Sequence, residues 1–101
     1  MTDMTVAHEI LNQLGGRRFI TMTGSSNFVG SNNSLSFKVG SNPKKITHVR
    51  IVLNLHDLYD IEFMRIWGTK TSFSYTENDV YNDQLRKTFT EYTGLYTSLN
   101  G

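Results

Sequence analysis

The sequence contains no cysteine, which removes disulfide frameworks, thiolate nucleophiles and every Cys-based zinc or iron–sulfur site. Stability must come from packing. Nor is there an apolar run approaching the roughly 20 residues that cross a bilayer as a helix. Met1-Thr2-Asp3-Met4 lacks the basic and apolar regions of a signal peptide, so the expected location is the cytoplasm. A third absence is local. Residues 15–56 hold no Asp or Glu, while Arg17, Arg18, Lys38, Lys44, Lys45 and Arg50 give that stretch a charge of +6. Residues 57–101 carry −3 and residues 1–14 carry −2, so a net charge of +1 conceals a polarised chain.

The 101 residues have room for one hydrophobic core, and a single α+β domain over 1–101 is expected. An apolar content of 38% with 19% charge lies far from the regime of disordered chains. Val6, Ala7, Ile10, Leu11 and Leu14 form a helical stripe, predicting a helix over about 4–14. Thr2, Asp3 or Thr5 would cap it, and Gly15-Gly16 would end it. Residues 18–23 are rich in β-formers and read as a strand, followed by a long Ser/Asn/Gly loop to Ser34.

Leu35-Ser36-Phe37-Lys38-Val39 alternates strictly, as a strand with one buried face requires. In the next strand Val49, Ile51, Leu53 and Leu55 share one face, and His48, Arg50, Val52 and Asn54 share the other. Past a turn at Leu55-His56-Asp57, Tyr59, Ile61 and Phe63 continue the period of two. Residues 58–67 are therefore read as a strand, although Met64, Ile66 and Trp67 also fit a helix. Gly68-Thr69 turns into a strand over 70–75 with Thr71, Phe73 and Tyr75 on one face. Tyr81, Leu85, Phe89 and Tyr92 mark a final helix, with Asn78, Asp79 or Asn82 as its caps, Gly94 as its stop and Leu95 folding back on Phe89. The tail Tyr96–Gly101 is expected to pack partway. The whole reads as an antiparallel meander of about five strands with an N-terminal and a C-terminal helix on one face.

Candidate chemistry is sparse. His56, Asp57 and Asp60 make the most metal-like cluster, but they straddle a turn and a strand, and an ordinary polar turn is the better reading. Asp60 and Glu62 share a strand face in imitation of a glycosidase pair, but neighbours on a strand face need no such role and solvated carboxylates are the better reading. Ser25 and Ser26 lie in no nucleophile elbow. Gly15-Gly16-Arg17-Arg18 has the composition of a phosphate-cradling loop, in the wrong order of elements for one. No catalytic residue, metal or cofactor is assigned. The stronger signal is cationic side chains interleaved with rings, the composition of single-strand nucleic-acid surfaces. Phe28 stands out because no periodicity demands its burial. Arg17, Arg18, Phe28, Lys44, Lys45 and Arg50 are thus the expected partner-binding residues, the cations as charge and Phe28 as an anchor.

The phrases GGRRFITMTGSSNF (15–28), NSLSFK (33–38), ITHVRIVLN (46–54), DLYDIEFMRI (57–66) and TGLYTSL (93–99) resemble a group of short proteins encoded by tailed bacteriophages and prophages. The resemblance carries no catalytic residues with it. What it implies is context: small phage proteins without enzymatic motifs frequently act by binding a host complex, among them inhibitors of CRISPR and other bacterial defences. The leading expectation is a non-enzymatic phage protein that occludes a host protein or nucleoprotein complex. The alternatives are a nucleic-acid-binding protein, and a small enzyme or nucleotide-sequestering protein. An uncovered edge strand would also let two copies pair.

Overall fold

The computed structural model describes residues 4–95. Helix α1 (Thr5–Leu14) buries Ala7, Ile10 and Leu14, the stripe anticipated from spacing. It ends where Gly15 and Gly16 take positive φ and donate their N–H groups to the carbonyls of Leu11 and Asn12. The expected caps Thr2 and Asp3, like the tail Tyr96–Gly101, lie outside the described residues.

Helix α2 (Arg17–Thr23) corrects the strand expected over 18–23. The β-branched residues Ile20, Thr21 and Thr23 favour a strand locally, but packing overrides that preference. Phe19 and Thr23, one helical turn apart, are both buried, and the Thr23 hydroxyl donates back to the Phe19 carbonyl at 2.7 Å. Gly24 then closes the helix in the left-handed region.

The polar loop expected to follow is in part a strand. β1 (Ser26–Gly30) pairs antiparallel with β2 (Ser34–Lys38), with an irregularity between Ser26 and Val29 and Asn27 at φ 55°. Its Ser/Asn/Gly composition conceals a strand held by pairing rather than by propensity. β3 (His48–Leu53), β4 (Tyr59–Trp67) and β5 (Lys70–Val80) complete a five-stranded antiparallel sheet in the order β1-β2-β3-β4-β5.

One face of the sheet presents Leu35, Phe37, Val49, Ile51, Tyr59, Ile61 and Phe63, all buried, as the alternation predicts. Leu55 is the exception: β3 stops at Leu53, and Leu55 is fully exposed in the turn. There the Asn54 carboxamide oxygen accepts the His56 and Leu58 N–H groups.

β5 runs five residues beyond its expected end, so Asn78 and Asp79 belong to the strand and do not cap a helix. A short 3₁₀ turn (Asn82–Gln84) leads into α3 (Leu85–Thr93), which buries Leu85, Phe89 and Thr93. Tyr81 precedes the helix and is exposed, outside the stripe assigned to it. Gly94 stops α3 at φ 78°, and Leu95 packs against the core.

The three helices share the apolar face. Phe19 of α2 meets Phe37 at 5.5 Å and Phe89 of α3 at 5.1 Å between ring centroids, both edge-on. Such contacts add about 0.5–1.5 kcal/mol each beyond burial. The opposite face, carrying Ser36, Arg50, Glu62 and Thr76 in one row, has no described helix over it.

Candidate binding surface

The β2–β3 connection is organised by one side chain. Asn42 donates from Nδ2 to the carbonyls of Gly40 and Ile46 and accepts the Ile46 N–H at Oδ1. Asn and Asp side chains that mimic backbone in this way tighten turns. The loop therefore projects Lys44 and Lys45, both exposed, with Lys45 in the left-handed region at φ 58°. It is tied to β4 by Arg65, whose Nε donates to the Lys45 carbonyl at 3.1 Å and whose Nη2 donates to the Lys44 carbonyl at 2.8 Å. The same guanidinium stands 5.4 Å above the Phe73 ring, a cation–π contact worth about 0.5–1 kcal/mol at an exposed site.

Phe73 and Tyr75 lie opposite Arg65 and Phe63 in the β4–β5 register, and so on the helix-bearing face. They are nonetheless 42% and 38% exposed. Among the described helical residues, Tyr92 of α3 reaches this edge. It packs 5.1 Å from Phe63 and 4.8 Å from Tyr75. Glu77 Oε2 lies 2.7 Å from the Tyr75 hydroxyl and 3.1 Å from that of Tyr92, and the two hydroxyls stand 3.2 Å apart, so two O–H protons serve a triangle of three contacts. The Tyr75 phenol is held well above its ordinary value, first by its hydrogen bond to Tyr92 and then by the one to Glu77.

The uncovered strip forms a groove of about 330 Å³ lined by Lys44, Ile46, Phe63, Arg65, Phe73, Tyr75, Glu91 and Tyr92. A second concavity of about 380 Å³ shares Ile46 and is bordered by Lys45 and Trp67, the latter 63% exposed. The lysine loop thus stands between a groove lined by four rings and a depression bordered by one, Trp67. Rings beside fixed cations can stack on planar groups and attract anionic ones.

The six residues singled out from sequence do not share a face. Lys44 and Lys45 border this surface. Arg17 and Arg18 are exposed on α2, in the helix layer, where they flank a shallow depression with Thr21 and Met22. Arg50 alternates with the buried Val49 and Ile51 and stands on the opposite face of the sheet, between Ser36 and Glu62. Phe28 is not an exposed loop anchor. It sits in β1, half-buried, with its ring 5.4 Å from Phe37, because β1 pairing turns it toward the core.

Arg65, Trp67, Phe73 and Tyr75 were not singled out. Their position beside Gly68-Thr69 on successive strands is legible in the sequence, but their exposure depends on which elements pack over the sheet.

The other candidates are dispersed or structurally engaged. Asp57 takes a turn conformation at φ 59°, while Asp60 accepts the Asp79 N–H and an Asn54 Nδ2 hydrogen. Among the described residues no three His, Asp or Glu side chains converge in a metal-binding group. Ser25 is buried and hydrogen-bonded to Thr23. Gly15-Gly16 precedes a helix rather than the strand expected there, and joins two helices as a terminator. His48 is held below its ordinary value by burial and then by Lys38. No helix among the described residues is long and apolar enough to cross a membrane. Comparison of the chain with protein-family models, curated proteins and solved structures finds no match.

Proposed function

We propose that the protein is a non-enzymatic binding protein of phage origin, working in the cytoplasm of the host bacterium, which occludes a functional surface of a host protein or nucleoprotein complex. An anti-defence role, of the kind played by inhibitors of CRISPR complexes, is the form of this reading that the sequence resemblance favours. The observation that carries it is the strip of uncovered rings at the β4–β5 hairpin, braced by Arg65 and bordered by Lys44 and Lys45. Aromatic residues and arginine are the side chains on which binding energy concentrates. Blocking a surface requires no reacting group, only shape, charge and a rigid presentation.

The test is affinity capture from host cells, with and without the phage, followed by mass spectrometry and measurement of Kd for the captured complex. Phe73→Ala should remove about 2 kcal/mol or more of binding, roughly 30-fold in Kd. Lys44→Glu combined with Lys45→Glu should slow association while leaving the melting temperature nearly unchanged. An affinity indifferent to all three substitutions removes this surface from the interface.

The pairing of stacking rings with cations favours one second reading, direct binding of single-stranded nucleic acid. Its signature is steep salt dependence, with log K falling by about 0.7 per phosphate neutralised for each unit of log salt concentration. A flat response excludes it.

A further inference from the structure

β5 is an edge strand with nothing described beyond it, and every residue from Lys70 to Thr76 is exposed. Its outward N–H and C=O groups are a template for another strand. Edge strands are usually blunted by proline, by central charge or by being short. The other edge, β1, is only five residues long and irregular between Ser26 and Val29. β5 has eleven residues, no proline, and no charge from Thr71 to Thr76. Its irregularities against β4 fall near its two ends and leave Phe73–Glu77 in unbroken register.

We infer that β5 pairs antiparallel with β5 of a second copy of this chain, joining two five-stranded sheets into one across a two-fold axis. A two-fold axis perpendicular to the sheet reverses strand direction and keeps each face on its own side, so both helix layers lie together and the interface is isologous.

Two observations select a second copy as the occupant. The charges of β5 are segregated by end, Lys70 at the start and Glu77 and Asp79 near the finish, so antiparallel pairing sets the cationic end of each copy beside the acidic end of the other. The central segment is also compatible with itself. Centred on Ser74, Phe73 of each copy faces Tyr75 of the other on the helix-bearing side, a favourable cross-strand aromatic pair. Hydroxyl side chains meet on the opposite side. Such pairing would also make the two ring-lined grooves continuous.

The inference stands independently of what the groove binds: a monomer would leave the proposed function intact, and a dimer would not establish it. The experiment is sedimentation equilibrium from micromolar to millimolar protein, paired with residue-resolved amide exchange at both extremes. A monomer–dimer equilibrium is expected, with the β5 amides that point away from β4 exchanging freely at low concentration and becoming protected at high concentration. Ser74→Lys combined with Thr76→Lys places like charges around the axis at two exposed positions. It should weaken dimerisation by at least about tenfold without lowering the unfolding midpoint at concentrations where both proteins are monomeric.

Three outcomes overturn the inference. The first is a monomer throughout the range. The second is a dimer that ignores the lysines or protects β1 instead. The third is β5 protection independent of concentration, which would mean that a segment of the same chain occupies the edge.

Discussion

Phe19, Phe28, Phe37 and Phe89 gather beneath the helices, whereas Phe73 and Tyr75 project from the same face of the sheet at the β5 edge, which Tyr92 of α3 reaches. The two groups have similar side chains and opposite surroundings. In the first, rings meet rings on several sides at 5.1–6.4 Å. In the second, Arg65 stands over one ring and Tyr92 packs against the other, with much of each left open. The difference teaches that ring content alone identifies neither core nor interface. The cover that a ring receives from neighbouring elements decides which it becomes, and the candidate binding surface lies where that cover is incomplete.

The sharpest way to break the comparison is to truncate one ring from each group. Phe89→Ala should cost about 3–5 kcal/mol in urea unfolding, because Phe89 is fully buried and a cavity would remain among Phe19, Phe37 and Leu85. Phe73→Ala should cost less than about 1 kcal/mol in the same assay, since much of its ring already faces water. Equal losses would dissolve the distinction between the two regions.

A smaller effect probes the backbone beneath the covered region. A Cβ at Gly40 would stand 2.8 Å from the Thr23 carbonyl oxygen, which already accepts the Gly40 N–H. Gly40→Ala should therefore destabilise by about 1–3 kcal/mol through displaced backbone. A neutral result would show that α2 is not held to the β2–β3 loop as tightly as this contact requires.

The smallest effect belongs to the open region and is read by alkaline titration. Because the Tyr75 phenol is raised in the folded protein, by Tyr92 first and Glu77 second, its contribution to stability is complete below the ordinary tyrosine value of 10.0. That contribution is lost as pH climbs above it toward the folded-state value. Tyr92→Phe removes the first cause and should bring the Tyr75 ionisation down, seen as an earlier phenolate absorbance in a difference titration against wild type. An unmoved curve would mean that the two hydroxyls do not interact in solution.

How far the sequence was legible varied with the element. Period-two alternation at Val49, Ile51, Tyr59, Ile61 and Phe63 identified β3 and β4, because each has one face fully buried against helices. The stripes at Ala7, Ile10, Leu14 and at Leu85, Phe89 identified α1 and α3 for the same reason. α2 was misread because Ile20, Thr21 and Thr23 favour strands locally, while the burial of Phe19 that decides the matter is supplied by β2 and α3. β1 escaped notice because its order comes from a partner strand and not from its own composition.

The site was half legible. Charge at Lys44 and Lys45 could be read directly, yet summed charge carries no facing, so Arg50 and the α2 arginines were grouped with side chains they never meet. Phe28, expected to be an exposed anchor, is drawn toward Phe37 by strand pairing, while Phe73, placed on a strand face with no role assigned, is the ring left open.

Arg65 anchors to two main-chain carbonyls of the lysine loop rather than to a carboxylate. Two of its five N–H donors are thereby used on scaffolding, and its charge stays at the mouth of the groove. Those bonds and the Asn42 contacts tie the loop's backbone before any molecule arrives, so it has less conformational freedom to lose on contact. Docking should accordingly follow rigid-body kinetics, with the frequency of productive collisions, and not any rearrangement of this chain, setting the pace.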